Sequence, residues 1–201
     1  MNNILYRVHN NLYVNLTNRC PCACTFCLRQ SMDRIGESDS LWLDREPEMA
    51  DIESAFQTWP PETYDDLVFC GFGEPTEALD MLKKTAAFVK AGFGKKIRLN
   101  TNGLGDLING RSIAPELKGL VDTVSISLNT PDAESYLALV RPRFGEGSFQ
   151  ALLSFARSCV EEGLEVVLTT VDTTLTSEQE SECAAICDAI GARYRIREWE
   201  G

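Results

Sequence analysis

The sequence predicts an α/β fold in which a parallel sheet carries helices on its outside. Three observations predict it. Short apolar runs of strand length alternate with longer segments of helical periodicity. Six such runs are separated by helix-sized stretches, the spacing that parallel neighbours need for a crossover. No repeat, low-complexity tract or linker interrupts the pattern, so residues 1–201 are expected to form one domain. Eight strand–helix units need about 250 residues. The sheet is therefore expected to stay open or to curve into an incomplete barrel.

The elements follow in order. "ILYRV" and "LYVNLT" flank a turn at His9-Asn10-Asn11 and read as a short strand and the first core strand. Met49, Ile52, Phe56 and Trp59 recur at helical spacing behind Pro47, expected in the first turn. "DLVFCG" is a buried strand, and Leu79, Leu82, Ala86 and Val89 mark one face of a second helix. "KIRLNTNG" is a strand ending in a loop, followed by a helix expected over residues 106–120 despite Pro115. "DTVSISLN" is the next strand, and Thr130-Pro131 is expected to start a short helix. Phe149, Leu152, Leu153, Ala156 and Val160 mark a longer one, and "EVVLTTVD" is a strand. Ser177 to Glu180 reads as a capping box opening the last helix, which ends near Gly191 before the strand "RYRIRE". In such folds functional residues lie in loops after the strand C-terminal ends.

Hydrophobic residues at 44% and charged residues at 24% are the balance of a globular protein, and no run is long enough to span a membrane. The N-terminus lacks the basic and apolar regions of a signal peptide, so a cytosolic protein is expected. A net charge of −11 argues against a general nucleic-acid surface.

Four of the eight cysteines fall in "TNRCPCACTFCLRQ". Cys20, Cys24 and Cys27 are spaced C-x-x-x-C-x-x-C, with Cys22 between the first two. In a cytosolic chain a cluster of this kind binds metal or reacts. Three thiolates leave one iron of a 4Fe–4S cluster open, whereas four, including Cys22, would close a zinc site. Zinc ranks lower, because structural zinc sites join two short pairs separated in sequence. Cys159, Cys183 and Cys187 share the apolar stripes of their helices, and Cys70 adjoins a glycine motif; all four are expected in the core. His9, the single histidine, is expected in solvent.

The cysteine spacing and the aromatic Phe26 before the third cysteine resemble the radical SAM superfamily. Further motifs resemble it in order: "GFGEP" (Gly71 to Pro75), "NTNG" (Asn100 to Gly103), "SISLN" and Arg141 in "LALVRP". The resemblance implies a partial TIM-type barrel of about (β/α)6, with parallel strands and outer helices. It implies a 4Fe–4S cluster on Cys20, Cys24 and Cys27, with S-adenosylmethionine (SAM) on the fourth iron. Cleavage of SAM would give a 5′-deoxyadenosyl radical that abstracts hydrogen, fed by an external reductant of flavodoxin or ferredoxin type. Phe26 and Leu28 would meet the adenine. Gly71, Phe72, Gly73 and Glu74 would receive the methionine ammonium, a charge-assisted bond for Glu74. Asn100 and Asn102 would line the site, and Arg141 would take the carboxylate, with Arg143 competing. Ser125, Ser127 and Asn129 share one strand face by period two and would meet the ribose. The wording "NLTNRCPCACTFCLR", "FCGFGEPTEAL" and "RLNTNGLG" looks most like the TatD-linked radical SAM proteins, whose name reveals no substrate. No auxiliary-cluster extension is expected.

An electron-carrying or oxygen-sensing iron–sulfur protein is the alternative class, and the motifs resembling ribose and ammonium sites count against it. Substrates of two classes fit, a small molecule or a partner protein as in glycyl-radical activases. No residue is assigned to hydrogen abstraction. Arg193, Arg195 and Arg197 alternate with Tyr194 and Ile196 in the last strand. The apolar pair is expected under the helices, and Arg197, with Arg195, is expected to receive an anionic group of the substrate.

Overall fold

The computed structural model describes residues 3–36 and 38–198. Its sheet has seven strands in sequence order: β1 (Leu5–Val8), β2 (Asn11–Val14), β3 (Leu67–Phe69), β4 (Ile97–Thr101), β5 (Thr123–Ser127), β6 (Glu165–Val171) and β7 (Arg193–Arg197). The β1–β2 pair is a hairpin and every later pair is parallel. The helices are α1 (Met49–Thr58), α2 (Leu79–Phe93), α3 (Gly105–Asn109), α4 (Ala114–Leu117), α5 (Ala133–Val140), α6 (Ser148–Glu161) and α7 (Ser177–Ile190). The expected α/β architecture, six parallel strands with outer helices, is observed.

Alternation along each strand decides what faces the helices. In β4, Ile97, Leu99 and Thr101 are buried while Arg98 and Asn100 are half-buried. Leu12, Leu67, Phe69, Val124, Ile126 and Leu168 form one core with Ile52, Phe56, Leu82, Val89 and Leu152. Cys159, Cys183 and Cys187 are fully buried in it, as expected. The other sheet face lines a cavity of about 590 Å³, with Tyr6 and Tyr13 at one edge of the sheet and Arg195 and Arg197 at the other. Residues of opposite edges share this cavity while β1 and β7 do not pair. That is the geometry of an incomplete barrel.

Several element boundaries differ from the sequence expectation. Pro47 precedes the helix, because Glu48 is the N-cap and forms a capping box with Asp51. The helix expected over residues 106–120 is two short ones. Gly110, left-handed at φ 65°, ends α3, and Pro115 sits in the first turn of α4. Thr130-Pro131 belongs to the preceding turn, since the Asp132 carboxylate caps α5 by accepting from Ser135 N. The last capping box is Thr176 with Gln179, one residue earlier than expected. Tyr194 packs against the core, but Ile196 is 41% exposed, because β7 is an edge strand. Among the described residues no helix is long and apolar enough to cross a membrane.

Candidate active site

The cysteine loop leaves the C-terminal end of β2 and is fixed by polar side chains around it. Asn15 Nδ2 donates to Leu41 O at 2.7 Å. Asn18 exchanges two bonds with the Leu43 backbone, at 2.8 and 3.0 Å. Arg29 reaches the carbonyls of Asn18, Phe72 and Cys22. Backbone bonds from Ala23 N to Val140 O and from Arg143 N to Pro21 O tie the loop to the end of α5. The loop is held in place by the protein's own bonds.

Cys20, Cys24 and Cys27 are half-buried, whereas Cys22 is 5% exposed and packs in the core. The Cys22 thiol hydrogen-bonds Cys20 and Cys24 and lowers the pKa of both against the effect of burial. The same bonds, with burial, push Cys22 far up. Burial raises Cys27. Asn102 Nδ2 approaches Cys22 Sγ at 3.6 Å. Among the described residues no group of three His, Cys, Asp or Glu is placed to hold a single metal ion.

The glycine loop follows β3. A Cβ on Gly71 would lie 2.7 Å from Asn15 Cγ, and one on Gly73 2.7 Å from Arg19 O. Neither glycine has a positive φ, so close approach to the cysteine loop is what excludes a side chain here. Glu74 is 4% exposed. Its Oε1 accepts from Thr76 N, Thr76 Oγ1 and Thr101 Oγ1, and its Oε2 from Asn102 N at 2.7 Å. Burial raises its pKa against these four bonds. The carboxylate is thus a brace between the loops after β3 and β4.

Cys24, Phe26, Cys27 and Leu28 line the 590 Å³ cavity together with Gly71, Phe72, Asn100, Ser127, Arg195 and Arg197. Most of the expected site residues therefore converge. Others do not line it. Ser125 faces a second cavity of about 360 Å³, which Arg98 and Arg195 also line. Asn129 lies beyond the end of β5 at φ 66°, so strand alternation does not reach it; it is buried and its Oδ1 has no partner among the described residues. The Asn102 side chain accepts from Leu104 N at 2.9 Å. Arg141 is exposed, left-handed at φ 50°, and its Nε donates to Ala138 O at 3.4 Å. Arg143 pairs with Glu77 at 3.3 Å and stacks on Phe144. Cys70 lines the cavity instead of the core, with its thiol pKa raised by burial, and His9 stands exposed at the rim. Sequence reading missed Tyr6, Tyr13, Arg29 and Arg98. The alternation in "IRLNT" was the available signal for Arg98, two residues before Asn100 on the same face.

The family model described as the Radical SAM superfamily matches residues 14–190. The chain belongs to the radical SAM superfamily. Membership implies a 4Fe–4S cluster and SAM, and two features of the site fit that pair. The half-buried thiols of Cys24 and Cys27 line the cavity, and the carboxamide oxygens of Asn100 and Asn129 are buried without a described partner. A GTP 3′,8-cyclase from Corynebacterium glutamicum (strain R) is 33% identical over 144 residues, which are 67% of this chain and 35% of the cyclase. SuiB of Streptococcus suis, in complex with precursor peptide SuiA, superposes with a TM-score of 0.69 at 19% identity, over 94% of this chain and 39% of SuiB. The anSMEcpe structure with bound AdoMet gives 0.68 at 19%, over 92% of this chain and 50% of that one. This radical SAM chain thus spans between about a third and half the length of these relatives, and the structural likenesses establish its fold.

Proposed function

We propose that this chain binds a 4Fe–4S cluster through Cys20, Cys24 and Cys27 and cleaves SAM to start hydrogen abstraction from a substrate. The observation that carries the reading is the placement of Cys24 and Cys27 on one cavity with Phe26, Leu28, Gly71, Asn100 and Ser127. When bound, the cluster and SAM supply reductive cleavage of the sulfonium to methionine and a 5′-deoxyadenosyl radical. Phe26 and Leu28 would hold the adenine. The Gly71–Gly73 backbone would receive the ammonium, with Glu74 fixing the loop. Ser127 and the free acceptors on Asn100 and Asn129 would meet ribose and adenine donors. Cys22, which lies outside the three-cysteine spacing and hydrogen-bonds Cys20 and Cys24, would stay off the iron.

The ordering of the site by the protein's own bonds favours residues 1–201 acting as one radical SAM core domain served by an external one-electron reductant. Eight free thiols support a cytosolic setting. Within the superfamily, the wording of the three quoted motifs favours the TatD-linked group. A cavity of about 590 Å³ falls in the size range of small-molecule sites, which suits SAM.

The test is anaerobic reconstitution followed by reduction with SAM and assay for 5′-deoxyadenosine. The wild type and Cys22→Ala should form it and carry near-equal iron and sulfide. Cys24→Ala should lose both cluster and product. A loaded protein that takes up electrons but never forms 5′-deoxyadenosine would assign it to electron transfer.

A further inference from the structure

The cavity face of the sheet collects three arginines on an acidic protein. Arg98 of β4 and Arg195 of β7 line both cavities, and Arg197 lines the larger one beside Cys24 and Cys27. Arg193, at the start of β7, pairs with Glu165. The three in question form no ion pair with any described residue. Arg98 Nη2 donates to Tyr13 Oη at 3.4 Å. The Nε atoms of Arg98 and Arg197 are buried and unpartnered among the described residues. Burial, then the charges of Arg98 and Arg197, pull the Arg195 pKa down, so like charges face one another there. Glu198, exposed at the mouth, does not compensate them by an ion pair.

Guanidinium groups kept together in a partly dry cavity are costly unless an anion joins them. Their planar forks match phosphate or carboxylate oxygens in bidentate fashion. We propose that Arg98, Arg195 and Arg197 form a subsite for a multiply charged oxyanion, the phosphate or carboxylate group of a small-molecule substrate. This rests on the reading of the cavity as the radical SAM active site. The subsite spans strands four and seven, so its anion would lie across the open barrel. That placement fixes the far end of a substrate whose reacting carbon faces the cysteine loop.

The probes are inorganic pyrophosphate and malonate, titrated calorimetrically into the anaerobically reconstituted protein at low ionic strength, with SAM titrated separately. One or both anions should bind, and Arg98→Gln and Arg197→Gln should each weaken that binding about tenfold or more, the loss of a charge-assisted bond. Arg193→Gln should leave it unchanged. Arg195→Gln, at an exposed position, serves the same purpose if Arg98→Gln does not fold. Pyrophosphate binding alone identifies a phosphate substrate, and malonate binding alone a carboxylate one. If neither anion binds, or if the arginine variants bind them as the wild type does, the proposal is wrong. Variants that lose SAM affinity and leave anion binding untouched would assign the arginines to the cofactor, overturning the subsite and sparing the cofactor reading. Anion binding with the expected variant pattern but no SAM binding would leave the subsite standing and sink the radical SAM reading.

Discussion

At the scale of the residue, Glu74 separates two ways of serving a ligand. A carboxylate in a glycine loop invites the assignment of direct contact with an ammonium, because opposite charges pair. Its four bonds to Thr76, Thr101 and Asn102 instead tie the loop after β3 to the loop after β4. Glu74→Ala should therefore destabilise the fold and weaken SAM binding together, at about 1–3 kcal/mol for each buried donor left unpaired. Thr101→Val, which removes one of those bonds without touching the cavity, should reproduce part of both losses. Urea unfolding and anaerobic calorimetry measure the two. Weaker SAM binding with unchanged unfolding free energy would restore direct contact. Gly71 and Gly73 belong to the same economy of space, since the brace works only where the two loops touch.

At the scale of the element, helix ends were the least legible part of the chain. The helix expected over residues 106–120 is cut at Gly110, whose left-handed backbone is a property that hydrophobic period does not report. The short α4 that follows is anchored by charge. Glu116 bonds Lys83 of α2 at 2.5 Å and Arg111 at 2.8 Å, and these contacts hold its carboxyl well below the usual range, at about 2. A depressed folded pKa means that the stabilisation is fully present above the unfolded value of about 4.3 and is lost as pH falls from there through about 2. The wild type should resist urea better than Glu116→Gln at pH 7, and the gap should narrow between pH 5 and 2. A gap that is constant across that range would remove the ion-pair account of α4.

At the scale of the whole molecule, the packed core lies between sheet and helices, and the cysteine loop, which leaves the C-terminal end of β2 and packs Cys22 into that core, is fixed by its own hydrogen bonds. Both parts are therefore expected to assemble without iron. Chelator-treated protein should keep native far-UV circular dichroism and a single cooperative thermal transition. Loading the cluster should raise the midpoint, as a ligand that binds the folded state does. A metal-free chain without a cooperative transition would show that the loop's order depends on the cluster.

The sequence by itself determined the strand–helix alternation, the six parallel strands and the loop that carries three spaced cysteines. These follow from local periodicity and from residue chemistry, both of which are readable along a chain. It also separated the core cysteines Cys159, Cys183 and Cys187 from the loop, because they sit on apolar helical stripes. Tertiary structure alone decided which polar groups are already spoken for. Glu74 and Asn102 are satisfied by neighbours about thirty residues away in sequence or by a local turn, while the acceptors of Asn100 and Asn129 have no partner among the described residues. It also decided that Arg98 meets Arg195 and Arg197. Ninety-seven residues separate Arg98 from Arg195, and only the curvature of the sheet brings β4 and β7 to one cavity. Hydrogen-bond competition and sheet curvature are properties of the assembled fold, set by partners that no local pattern names.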